Sequence, residues 1–181
     1  MMITRFASQL LPHALALLLL LPACSWRDPM LPVSIRDQRS RTTTAAFVDL
    51  YAVRGEMEQR RQTITPVDEY FATLGRSSRP QDIRRIILDA ATPGATIFPD
   101  QDATGRLWQE KGADILIAVT PKPERRSTSA ADPRRVTCPL HRSAYPAGTQ
   151  SLLIMLTDGG LVVRPSAERL RPPPHPSAPS S

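Results

Sequence analysis

Leu152-Leu153-Ile154-Met155-Leu156, then Thr157-Asp158-Gly159-Gly160, then Leu161-Val162-Val163 is the stretch that decides the fold. A five-residue apolar run is too short for a buried helix. The Asp-Gly-Gly that follows is turn chemistry, and a second apolar run resumes at once, so the segment reads as a β-hairpin. Upstream, Ile115-Leu116-Ile117-Ala118-Val119 is another continuous apolar run of strand length, stopped by Pro121. Ala45–Val53 alternates Phe47, Asp49, Tyr51 and Val53 on one face with Val48, Leu50 and Ala52 on the other. Both faces are largely apolar, which predicts an internal strand covered on two sides. A first short strand is expected at Leu31–Arg36, followed by a polar loop Asp37–Thr44.

Helices are fewer. Thr65-Pro66-Val67-Asp68 supplies a cap hydroxyl, a proline suited to the first helical position and an acid three residues after the cap. That helix should run through Tyr70-Phe71 to Leu74 and stop at Gly75, its aromatic pair facing the core. A second short helix is expected at Arg106–Lys111, ended by Gly112, with Trp108 against the sheet. Ile83–Leu88 fits both a helical stripe and a strand, with Thr92-Pro93-Gly94 as the turn after it. Short strands separated by turns, with one or two inserted helices, predict a mainly β protein, a two-sheet β-sandwich over residues 33–165. Six prolines from Pro165 onward, among Ser and Ala, mark residues 166–181 as a tail unable to bury enough to fold.

The 181 residues, 41% of them apolar, leave room for one ordinary domain. With 19 Pro against 8 Gly and few aromatics, a long helical bundle is excluded. Two cysteines cannot make a disulfide framework or a four-ligand zinc site. Apolar residues are concentrated at the start: Arg5 precedes Ala14–Leu21, and Pro22-Ala23 precedes Cys24. Residues 1–23 have the layout of a secretory signal peptide, with an apolar core too short to span a bilayer. Leu21-Pro22-Ala23-Cys24 resembles the lipobox of bacterial lipoproteins. The resemblance implies that Cys24 carries a diacylglycerol and an acyl chain such as palmitate. Ser25 in place of Asp then implies sorting to the outer membrane, on its periplasmic face. Several acyl chains at about 0.8 kcal/mol per buried methylene hold firmly where one would not. Residues 24–32 are then a lipidated tether.

The order of these features is similar to the small outer-membrane lipoprotein of the bacterial type VI secretion apparatus. A lipobox, a first strand with a polar loop, Val48-Asp49-Leu50-Tyr51, Val67-Asp68-Glu69-Tyr70-Phe71, Thr92-Pro93-Gly94, Ala113–Val119 and the final hairpin occur in the same succession. The resemblance implies a transthyretin-like β-sandwich without enzymatic activity. It implies a subunit that anchors the trans-envelope complex by binding the periplasmic domain of a large inner-membrane component. It also implies that partner contact lies in the loop between the first two strands, here Arg39, Ser40, Arg41 and Thr42. No cofactor beyond the lipid, no metal, no nucleic acid and no small-molecule substrate is expected. The alternatives are a lipoprotein of another envelope assembly, or an exported enzyme or ligand-binding lipoprotein whose site the fold assembles.

For that last alternative the candidates are few. Cys138-Pro139-Leu140-His141 puts a thiol near an imidazole, but in a stretch that reads as a loop without rigid support, so a buried structural Cys is expected. Two distant acids such as Asp49 and Asp89 would make a dyad only if the fold joined them. Between Pro121 and Gln150, six basic residues (Lys122, Arg125, Arg126, Arg134, Arg135, Arg142) face Glu124 and Asp132. A solvated loop is the plain reading of that run; attraction to an acidic partner or to anionic lipid is the functional one. Without interleaved aromatics it is not a nucleic-acid surface.

Overall fold

The hairpin forms as the sequence predicts, pairing antiparallel from Ser151↔Ser166 to Thr157↔Gly160. The computed structural model describes residues 28–40, 44–74, 80–123 and 132–172. The leader, Cys24 and the last part of the tail, from residue 173, lie outside them. In chain order the elements are β1 (Val33–Asp37), β2 (Ala46–Val53), α1 (Gly55–Ile64), α2 (Val67–Leu74), β3 (Arg84–Leu88) and β4 (Gly94–Ile97). After these come α3 (Ala103–Glu110), β5 (Ile115–Val119), β6 (Arg135–Pro139), a 3-10 turn (Arg142–Ala144), β7 (Ser151–Thr157) and β8 (Gly160–Ser166). Among the described residues the strands make two four-stranded sheets, β4-β1-β7-β8 and β3-β2-β5-β6. The protein is a mainly β, two-sheet sandwich.

Alternation along the strands explains why the sheets stack. Val48, Leu50 and Ala52 of β2 and Leu116 and Ala118 of β5 join Val33, Ile35, Leu152, Ile154 and Leu156 of the opposite sheet in one buried core. The other face of β2 and β5 carries Tyr51, Val53, Ile117 and Val119, and Val67 of α2 closes over them with Tyr70 and Phe71 at its margin. So β2 is covered on both faces, as its two apolar faces require. The aromatic pair faces this outer cluster, not the space between the sheets. Tyr70 stacks on Tyr51 at 5.7 Å, and Phe71 meets Phe47 edge-on at 5.5 Å.

Local chemistry sets the other boundaries. Residues 84–88 form a strand. Their burial alternates, with Ile86 and Leu88 inside and Ile87 60% exposed, which resolves the ambiguity of three isoleucine and leucine neighbours. Helix α3 starts three residues before the predicted point because the Asp102 carboxylate accepts from the amides of Thr104 (2.9 Å) and Gly105 (3.4 Å). It stops where expected, with Gly112 at φ +62°. Trp108 is fully buried and donates to the Asp82 carbonyl at 2.8 Å. Besides the short β4 and the 3-10 turn, two elements were not predicted. Helix α1 has no buried residue and no apolar stripe to read, and β6 runs through the segment read as a basic loop.

The two ends of the sandwich differ. Strand β1 pairs parallel with β7 and antiparallel with β4. Their register, with that of the second sheet, gathers the described ends of the loop after β1, the Asp89–Gly94 turn, the described ends of the Thr120–Arg134 connection and the Asp158-Gly159 turn at one pole. The opposite pole holds Asp28–Met30, Arg54, the end of α3 and the 3-10 turn, tied by Leu31 N–H to the Leu140 carbonyl (2.8 Å) and Leu140 N–H to the Asp114 carbonyl (2.8 Å). Asp28, inside the stretch read as a tether, is thus already packed on the sandwich.

Candidate functional site

The loop after β1 is closed at its base by one arginine. Arg39 donates from Nε to Asp37 Oδ1 at 2.9 Å and from Nη2 to Asp37 Oδ2 at 2.6 Å, and its Nη2 also reaches the Thr44 carbonyl at 2.9 Å. The Arg39 amide adds a bond to Asp37 Oδ1 at 3.0 Å, an Asx-type turn. The Arg39 side chain is 8% exposed and that of Asp37 is fully covered. A forked, charge-assisted pair of this kind fixes direction as well as distance. It holds the Asp37 carboxyl below the usual carboxylate range, chiefly through the guanidinium hydrogen bonds. Next in the chain, the exposed Ser40 amide donates to both oxygens of Asp158 (3.2 and 3.1 Å), which ties the loop to the β7–β8 turn; hydrogen bonding from Ser40, its side chain first and its amide second, lowers the Asp158 pKa.

Of the four loop residues named from the sequence, the fold therefore uses Arg39 as a clamp and presents Ser40 at the surface. Arg41 and Thr42 lie outside the described residues, as does the lipidation candidate Cys24. The sequence reading missed the two carboxylates, Asp37 and Asp158, that hold this loop in place. A usable signal exists: Asp37-Gln38-Arg39 recurs as Asp132-Pro133-Arg134 at the same pole. There the Arg134 amide bonds Asp132 Oδ1 at 2.9 Å while the guanidinium grips Asp132 (2.8 Å) and Asp68 of α2 (2.6 Å). The guanidinium hydrogen bonds hold Asp132 low in pKa and raise that of Arg134. The adjacent Arg135 donates to the carbonyls of Thr63 (2.7 Å) and Thr65 (2.6 Å), capping the end of α1. The described part of the basic run is thus not a solvated loop, because Arg134 and Arg135 fasten the two helices to the sheet.

The catalytic candidates are not assembled. Cys138 sits in β6, 5% exposed, and burial pushes its thiol up to about 11, so it is a thiol, not a thiolate, at neutral pH. His141 Nδ1 is engaged by the Asp28 carbonyl at 2.7 Å. Asp49 is fully buried in a bidentate pair with Arg85 (2.7 Å for both bonds), and Arg85 lies 3.7 Å over the Phe47 ring. Asp89 instead caps its own turn, accepting from Ala91 and Thr92. Since Asp49 pairs with Arg85, Asp89 stands four residues further along β3, about 13 Å away. Among the described residues no group of His, Cys, Asp and Glu is placed to hold a metal ion. An open groove of about 610 Å³ between α1, α2 and the sheet is lined by Tyr51, Arg54, Glu69, Tyr70, Ile83 and Lys111. Burial pushes the Tyr51 hydroxyl in its wall up to about 12.

No described helix is long and apolar enough to cross a membrane. No family model matches the chain, and no curated protein matches it. Among solved structures, the chain is similar to that of Serratia marcescens Lip, described as a membrane bound component of the type VI secretion system. The likeness has a TM-score of 0.41 at 11% identity and spans 76% of this chain and 98% of that one.

Proposed function

We propose that this protein is an outer-membrane lipoprotein of the periplasmic face that anchors a type VI secretion trans-envelope complex. In this reading it binds the periplasmic domain of the large inner-membrane component and catalyses no reaction. The observation that carries the reading is the sequence order itself: a lipobox-like Leu21–Cys24 ahead of the strand, loop and helix succession of that family. The two-sheet fold agrees with it. The clamped loop supports the partner-binding part, because a segment whose base is fixed by Arg39 and Asp158 loses less entropy on binding than a free one. The state of the candidates named above supports the non-enzymatic part, since a protonated buried Cys138 is a poor nucleophile and Asp49 is already paired.

A pull-down tests the partner: detergent-solubilised tagged protein should recover the inner-membrane component, and recovery of a different envelope assembly in its place overturns the assignment. A second experiment tests the anchor. Cys24→Ala should abolish acyl labelling and release the domain from the outer membrane, and continued membrane attachment of that variant refutes lipid anchoring.

A further inference from the structure

We infer that the Asp28 pole of the sandwich is a membrane-facing surface, held against phospholipid headgroups by a leash of four residues. The inference rests on acylation of Cys24. What the fold adds is the point where the leash ends. The Asp28 carboxylate accepts from the Ser143 amide at 3.0 Å and from the Ser143 hydroxyl, and the Asp28 carbonyl meets His141 Nδ1 at 2.7 Å. The Pro29 carbonyl accepts from Arg142 N–H at 3.2 Å, and Met30 bridges to His141. Leu31, 1% exposed, is already core. The chain is therefore fixed to the 3-10 turn from its first described residue.

From Cys24 to Asp28 is four residues, which extend at most ~14 Å. An acylated Cys24 lies at headgroup level, so Asp28 cannot stand further than that from the headgroups. From Met30 to Gln38, where the chain bonds the Leu156 carbonyl, it runs extended for roughly 25 Å at about 3.3 Å per residue. A leash shorter than the body it holds keeps the Asp28 pole within reach of the headgroups, while the other pole is free to stand off them by the length of the sandwich.

Charge does not select this pole. Arg54, Lys111 and Arg142 are matched there by Asp28, Glu110 and Asp82, Lys111 being bonded to Asp82 at 2.6 Å. An attraction of about 1 kcal/mol per basic residue near anionic lipid is offset by these carboxylates. Chain length orients the domain, and the headgroup surface need only tolerate a balanced, polar face. The loop holding Arg39 and Ser40, the Asp158 turn and the ends of the basic Pro123–Asp132 connection then point into the periplasm. That placement favours a protein partner over lipid as the target of the loop that holds Arg39 and Ser40.

The full lipidated protein in vesicles of phosphatidylethanolamine and phosphatidylglycerol tests this. A donor dye is placed at Glu110→Cys beside Asp28 or at Gly159→Cys at the opposite pole, with an acceptor on the lipid headgroups. Native Cys138 is buried and does not compete for the dye. Energy transfer from position 110 should exceed that from 159 several-fold, at 50 mM and at 500 mM salt alike. A 20-residue Gly-Ser spacer between Arg27 and Asp28, with a reach of about 25 Å, should bring the two close to equality. Equal transfer in the native-length chain, or a ratio that the spacer leaves unchanged, overturns the inference while leaving the anchor intact. Absence of acyl label on the wild-type chain overturns the anchor and the orientation together.

Discussion

The two faces of the β3-β2-β5-β6 sheet are built by different rules. Between the sheets, Leu50, Leu116, Ile154 and Leu156 are fully buried aliphatics drawn from strand alternation alone. On the outer face, apolar residues share the surface with ion pairs: Asp49–Arg85 beneath Phe47, and Arg134 and Arg135 reaching α2 and the end of α1. The inner face owes its stability to area removed from water, which is tolerant of chemistry and sensitive to volume. The outer face owes its geometry to a few directed bonds, which are sensitive to the loss of one partner. A helical hairpin as polar as α1 needs the second kind.

Substitutions on adjacent parts of β2 and β3 separate these rules. Leu50→Ala removes inner volume in a place where two sheets cannot collapse together. It should cost about 4 kcal/mol, read as a lowered urea midpoint with an unchanged slope. Arg85→Ala leaves the fully covered Asp49 carboxylate without its partner on the outer face. A loss of about 3 kcal/mol is expected, and a loss under 1 kcal/mol would show that water reaches Asp49 and that the outer face is not directed by its pairs.

Acid should act on the directed bonds only. Asp37 and Asp132 sit below their ordinary value of 3.8 when folded, so the unfolded chain binds protons more readily in that range. Their contribution is fully present above the ordinary carboxylate range and is lost as pH falls through 4 toward the folded values. The urea midpoint should decline below pH 4, and less steeply in an Arg39→Ala, Arg134→Ala double variant; equal declines would remove these two pairs as the cause. The smallest effect is expected at Tyr51, whose buried hydroxyl has no hydrogen-bond partner among the described residues. Tyr51→Phe should be neutral or stabilising by less than about 1 kcal/mol, because it removes a polar group that is unsatisfied in the folded state.

The same division governs how much of the molecule its sequence discloses. Val48-Asp49-Leu50-Tyr51 and Leu152–Leu156 are legible because burial on a pleated sheet imposes a period of two or a continuous apolar run. Helix α1 leaves no such trace: its fastenings include Gln59 to Thr137 and carbonyls to Arg135, both decided by residues 70 or more positions away. Strand β6 is hidden for a related reason. Its Arg135-Val136-Thr137-Cys138-Pro139 ends in a proline, which only an edge strand tolerates, and edges are not marked in a sequence. At the candidate site, Arg39 and Ser40 were legible as loop residues. Their fastening by Asp37 and Asp158 was half legible, since the Asp-x-Arg turn is local and the bond to Asp158 spans 118 positions.

Strand β1 has a mechanical consequence. It lies inside its sheet, hydrogen-bonded to β4 along one edge and to β7 along the other. A pull on the chain ahead of Asp28 is first borne by the bonds to Ser143 and His141. If those yield, the pull runs along β1 and loads both ladders in shear, with all their bonds strained together. A peripheral strand pulled from its end would instead unzip one bond at a time. The element nearest the tether is thus one whose rupture breaks two ladders together, and tension at the amino-terminal side passes into the body of the sandwich instead of stripping its rim.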